Sequence, residues 1–285
     1  MYLENSHNLW RRLARVKALE THFELALAGY ERRNRDELVR HMEAVAMLPE
    51  GGTGCLEYLA LSWRLKWLDG EQQAAMETAR LGMLMFPTDV DTVLEYGRLL
   101  LDMGRHQESI PVFEAGTRLA PDDADMWFEL GIAAEFTEQW DLRHDAFRRV
   151  WQIEHRFDPA EPRLLTDDEA VAVAEAAVER LPPPVRGAVG NVAVIVEDYP
   201  DEWVVTDAGA EPRVLGLFDG PTHGFETSLD AMIEGPARIY LFRRNIERHC
   251  HDREDAEHQI ALTVLHELGH YFGFDEFQLE DMGLN

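Results

Sequence analysis

VLEYGRLLLDMG (residues 93–104), followed at once by HQESIPVFEAGTRLAP (residues 106–121), sets the reading of the first half of the chain. In both stretches apolar residues recur at i, i+3, i+4 and i+7, the spacing of one buried face on an α-helix. The pair returns as MWFELGIAAEFTEQ (126–139) and WDLRHDAFRRVWQI (140–153). Pro87 and Pro121, Gly97 and Gly131, and Gly70 and Gly104 are each 34 residues apart, so the helical hairpin is an internal repeat. Carried backward, the register puts Gly29 and Trp63 in line with Gly97 and Gly131, and Ala26, Ala60, Leu94 and Phe128 three residues earlier. Four units result, at roughly 22–54, 56–88, 90–122 and 124–156. Proline cannot continue a helix, so Pro87 and Pro121 close their units. A glycine inside a helix costs about 0.5–1 kcal/mol relative to alanine, and its recurrence points to close helix packing. Trp63, Trp127 and Trp140 read as core between repeats.

Trp127, Leu130, Gly131 and Phe147 in the last unit, with Gly97, Phe113 and Pro121 in the one before, make this half resemble the tetratricopeptide repeat family. The resemblance implies a partner-binding array whose concave groove takes an extended or helical peptide.

Across all 285 residues, 46% are hydrophobic and 28% charged, which excludes disordered and collagen-like classes. With 27 basic against 54 acidic side chains the formal charge is -27. Such a surface repels phosphate backbones and anionic lipid, so neither nucleic acid nor membrane is an expected partner. Residues 158–285 alone hold 9 basic and 27 acidic residues, a balance of -18 that concentrates cations and positively charged partners. Cys55 and Cys250 stand too far apart in the chain to imply a disulfide framework, and no apolar run reaches the ~18 residues of a membrane span. Without a secretory apolar segment near residue 1, the expected compartment is the reducing cytoplasm.

FDPAEPRLLT (157–166), with Pro159 and Pro162, breaks the helical period. We therefore expect a repeat domain over 1–157, a linker over 158–166 and a second domain over 167–285. In that domain a helix over 167–181 is followed by a break at Pro182, Pro183 and Pro184. Short β-branched or aromatic runs at 191–198, 214–219 and 238–243 then read as strands. The expected architecture is multidomain: an all-α helical repeat array followed by a small α+β domain. A last long helix is predicted to begin near Asp252 to Glu254, whose carboxylates suit a helix N-terminus.

That helix carries His266-Glu267-Leu268-Gly269-His270. Histidines four apart lie on one face about a turn apart, so both imidazoles reach one tetrahedral metal ion, and Glu267 stands beside its open position. Gly273 follows, able to adopt positive φ and turn the chain back so that a residue just beyond meets the same ion. By offset Glu276 suits the third position best, with Asp275, Glu280 and Asp281 as alternates; carboxylate oxygen is an acceptable zinc ligand. Cys250, between His249 and His251, reads as a small buried apolar residue rather than a ligand. The same reading makes Met282 a packing residue.

The stretch HELGHYFGFDEFQLEDMG (266–283) resembles the zincin-like metallopeptidases of the small bacterial type, with the pattern HExxHxxGxx and then an acidic residue. The resemblance runs from about residue 167 onward and implies a zincin-like fold, one Zn2+, His266, His270 and Glu276 as ligands, and Glu267 as general base. The implied activity is hydrolysis of peptide bonds by metal-activated water, with the helical repeats recruiting a peptide or protein partner. An exposed strand beside the helix would hold the substrate extended; residues 214–218 are the candidate. Tyr271, Tyr240 and His223 carry donors suited to an oxyanion, although each reads more naturally as structural. A repeat-based interaction scaffold with a structural or catalytically idle zinc domain is the alternative. An idle site has no reason to keep Glu267, which binds no metal.

Overall fold

The computed structural model describes residues 2–156, 164–189, 192–207, 209–220 and 238–284, with side chains from residue 16 onward. Pro159 and Pro162 of the expected linker, and His223, lie outside the described residues. The chain divides into two compact units, Met1–Ala146 and Phe147–Asn285.

The first unit is built from α1 (Tyr2–Glu31), α2 (Arg35–Met47), α3 (Leu56–Leu68), α4 (Gln72–Met85), α5 (Val90–Asp102), α6 (His106–Leu119), α7 (Ala124–Phe136) and the beginning of α8 (Trp140–Arg156). From α3 onward the helices pair as the 34-residue period requires. Cys55, Asp89 and Asp123, one period apart, are the N-caps of α3, α5 and α7, and each side chain accepts the N–H three residues on. The turn inside each hairpin carries a left-handed residue at the same period: Gly70 (φ 78°), Gly104 (φ 69°) and Glu138 (φ 56°). Glycine adopts that conformation without a Cβ clash, whereas Glu138 holds it at a cost of about 1–2 kcal/mol, offset by the packing on either side. The first unit departs from the period, because α1 runs unbroken through residue 22.

Packing explains the repeated glycine. A Cβ on Gly97 would overlap the ring of Phe113, which is fully buried among Leu94, Ile110, Met126 and Leu130. Burying aliphatic or aromatic side chains of this size stabilises by about 1.5–3 kcal/mol each. Trp63 takes the corresponding place one period earlier, is 9% exposed, and donates its indole N–H to Glu95. Trp127 is half-buried, with its indole on the Pro121 carbonyl. Trp140 is not core: at 59% exposure it occupies the first position of α8, before that helix has completed a turn against α7.

The end of α8 packs within the second unit, where Trp151 donates to the Pro200 carbonyl at 2.8 Å and Glu154 pairs with Arg213 and Arg248. Then follow α9 (Asp167–Glu179), α10 (Pro183–Val189), β1 (Ala193–Glu197), α11 (Glu202–Thr206), β2 (Gly216–Asp219), β3 (Arg238–Phe242), α12 (Arg243–Glu247), α13 (Arg253–Tyr271) and α14 (Glu276–Asp281). Thr166 and Glu169 close a capping box at the start of α9. The triple proline ends one helix but also begins the next, since proline suits the first helical turn, where its missing N–H has no partner to lose.

The sheet order is β1-β3-β2, with β1 parallel to β3 and β2 antiparallel to it, Gly216 opposite Leu241 and Phe218 opposite Ile239. Three short strands need a covering layer to be stable. Ile239 and Leu241 of β3 are wholly buried, in one core with Ala170, Ala174 and Ala177 of α9 and with Ile260, Val264 and Leu268 of α13. Among the described residues β1 and β2 are the two edge strands, and β2 lies against α13. No helix among the described residues is long and apolar enough to cross a membrane.

Candidate metal centre and substrate cleft

Asp252 caps α13, accepting the N–H of Asp255, and the helix buries Ala256, Ile260, Val264 and Leu268 against the sheet. That packing fixes the rotation of α13, so His266 and His270, a turn apart, both emerge on the side away from the core. Phe272 caps the other end, and Gly273 (φ 79°) turns the chain back. Asp275 then starts α14 in a capping box with Gln278. Leu279, fully buried, seats this short helix directly on α13 at Gly269, where a Cβ would overlap its side chain. Glu276 is thereby delivered opposite the two histidines.

The Nε2 atoms of His266 and His270 are 3.1 Å apart, and the Glu276 carboxylate lies 3.6 Å from the first and 3.2 Å from the second. Ligand atoms about 2.0–2.1 Å from a tetrahedral zinc stand about 3.3 Å from one another, so these three edges fit one ion. Each imidazole is also oriented from behind. His266 Nδ1 donates to the Leu284 carbonyl at 2.7 Å and His270 Nδ1 to the Phe274 carbonyl at 3.2 Å, which leaves both Nε2 lone pairs facing the shared point. Of the three acidic alternates, Asp275 is engaged as the α14 cap, and His266, His270 and Glu276 form the one group of three donors among the described residues that could hold a metal.

Glu267 points the other way, toward β2, and is 6% exposed. Burial pushes its carboxyl up to about 7; the Phe218 backbone N–H pulls it down, and the nearby Glu276 charge pushes it up. Gly216 permits this contact: a Cβ there would lie 2.7 Å from Thr263 Cγ2 and 3.0 Å from Glu267 Oε1. Asn245, fully buried on α12, donates to the Pro212 and Val214 carbonyls at 3.1 and 2.8 Å and so holds the lead into β2. None of these three contacts was read from the sequence. A glycine inside a strand pattern is the signal that could have found the first.

Between β2 and α13 lies a cavity of about 390 Å³, with His266, Glu267, His270 and Glu276 along one part and Val214, Leu217, Leu262 and Leu284 along another. The Leu215 carbonyl accepts the Phe242 N–H on the β3 side, so the alternating backbone groups of Gly216 and Phe218 face the cleft. Tyr240 and Tyr271 do not line the cavity; Tyr271 packs on Phe218. Cys250 is partly buried beside the core, its thiol on the Ile246 carbonyl, and Met282 is 49% exposed at the end of α14, outside the cavity lining rather than packed.

Residues 189–284 match the family model for zincin-like metallopeptidases, and residues 90–133 match that for the tetratricopeptide repeat. The chain thus carries a zincin-like metallopeptidase domain and tetratricopeptide repeats. No curated protein matches it. Among solved structures, one of MamA aligns at 17% identity and a TM-score of 0.42, over 49% of this chain and 80% of that one. MamA from Desulfovibrio magneticus RS-1 aligns at 17% identity and 0.40, over 57% and 85%. PilF of Pseudomonas aeruginosa aligns at 11% identity and 0.48, over 95% and 100%.

Proposed function

We propose that the chain is a zinc-dependent peptidase in which His266, His270 and Glu276 hold the ion and Glu267 is the general base, while the helical repeats recruit a protein substrate or partner. The convergence of three donor atoms on one point, with a buried carboxyl beside it at the mouth of a cleft, carries this reading. Zinc, when bound, supplies Lewis acidity that activates water and polarises a peptide carbonyl. The chain's own residues do the rest. The Gly216 backbone and the Phe218 carbonyl offer groups along which an extended substrate adds as a further strand, the Phe218 N–H being held by Glu267. Glu267 accepts the proton of the attacking water and returns it to the nitrogen of the departing amine. Burial weakens its ordinary acidity and so raises its affinity for that proton.

The full-length chain loaded with zinc is expected to cleave members of a broad peptide library. A chelator should stop the reaction and one equivalent of zinc should restore it. Absence of cleavage across the library by protein carrying stoichiometric zinc would move the assignment to an interaction scaffold with an idle metal domain.

The seating of α14 gives a second test. In Gly269→Ala the added methyl displaces Leu279 and with it Glu276, while His266 and His270 stay on α13. Zinc affinity, measured by competition with a chromophoric chelator, is expected to fall about 10- to 100-fold, the usual effect of disturbing the support of a ligand. Wild-type affinity in this variant would show that Leu279 repacks without moving Glu276 and that this seat does not support the site.

A further inference from the structure

The cleft beside the metal donors has two chemical characters. Its lining away from the donors is largely apolar, formed by Val214, Leu217 and Leu262, each partly exposed, beside Gln259 and Thr263. Partly exposed apolar side chains gathered in one concavity mark a place that an apolar group fills. Glu276 brings α14 to the rim of the cleft; outside the lining, Phe274, Phe277 and Met282 are 41%, 71% and 49% exposed, and Asp275, Glu280 and Asp281 on and beside α14 are exposed as well.

Residues 271–284 contain neither lysine nor arginine, and residues 158–285 contain no lysine at all. Of the 9 arginines in 158–285, Arg213, Arg238, Arg243, Arg244, Arg248 and Arg253 are already paired with carboxylates of their own unit. Their charge is matched within the fold, and the sequence of 158–285 leaves an acidic excess of -18. A field of one sign around a low-dielectric cleft raises the local concentration of opposite charge and excludes like charge.

Resting on the peptidase reading above, we propose that the cleft selects an extended cationic segment bearing an apolar side chain, with Leu262 setting the size of the apolar residue accepted. Strand addition along Gly216 and Phe218 requires the segment to be unfolded locally. The apolar side chain enters between Val214 and Leu262, and lysines or arginines on either side of it meet the acidic residues on and beside α14. The preferred substrates are therefore basic, unstructured stretches such as tails and linkers, and acidic segments are refused.

The test uses the zinc-loaded full-length chain and quenched-fluorescent peptides that share one central leucine and differ only in flanking Arg, Gln or Glu. Arg-flanked peptides are expected to exceed Glu-flanked ones at least about tenfold in kcat/KM at low ionic strength, with the gap narrowing as salt screens it. In Glu280→Lys with Asp281→Lys the gap should shrink severalfold at unchanged zinc content. In Leu262→Ala the favoured central residue should shift from leucine to a larger one. Cleavage that depends on Glu267 yet ignores the flanks, or a central preference untouched by Leu262→Ala, overturns this inference and leaves the peptidase standing. Failure of zinc-loaded wild type to cleave any member overturns both.

Discussion

Replacing Glu267 by glutamine is expected to lower turnover by about 10²- to 10⁴-fold while zinc content and thermal stability stay close to wild type. Glutamine has nearly the same shape, and its Oε1 still accepts the Phe218 backbone N–H that orients the carboxyl. In the proposed site it binds no metal in either form, because the candidate donors are His266, His270 and Glu276. What it loses is the ability to take a proton. Stability should hold because the wild-type carboxyl is 6% exposed and burial already pushes it up to about 7, so a neutral amide adds no desolvation cost. The measurement is kcat on any confirmed peptide, beside metal analysis and a melting curve. Equal rates for the two proteins would remove Glu267 from the reaction.

Much of this was legible in the sequence, and for a physical reason in each case. The 34-residue period is carried by residues with strong local consequences: N-caps at Asp89 and Asp123, left-handed turns at Gly70 and Gly104, and Gly97 where Phe113 needs room. Such signals act within a few residues and survive without tertiary information. The candidate metal donors were legible as a group because helix geometry alone puts His266 and His270 on one face and Gly273 turns the chain. Less legible was everything set by the packing of distant segments. The unbroken α1, the exposure of Trp140 and the helix begun by Pro183 depend on what each segment meets. The contacts that aim the site, Leu284 on His266, Phe218 on Glu267 and Asn245 on Val214, are made largely by backbone groups, which every residue carries alike. A sequence marks such contacts only where a side chain must be missing, as at Gly216 and Gly269.

Replacing His266 by alanine is expected to abolish stoichiometric zinc and, with it, the stabilisation that zinc confers. Zinc that binds the folded unit at about a hundred times its dissociation constant stabilises it by about 2.7 kcal/mol, or roughly 10 °C in the melting of a unit of this size. Losing one of three donors leaves His270 and Glu276 3.2 Å apart, a pair that exposed side chains form often without retaining an ion. The imidazole also anchors the Leu284 carbonyl at 2.7 Å, so some destabilisation could come from that hydrogen bond alone. Metal-free proteins separate the two effects. Without zinc, His266→Ala should melt within a few degrees of wild type, since a partly exposed hydrogen bond contributes about 0.5–1.5 kcal/mol. With zinc, only wild type should shift upward. A variant that keeps both its zinc and the upward shift would mean that the ion sits elsewhere, and the role of Glu267 would have to be assigned anew around that other position.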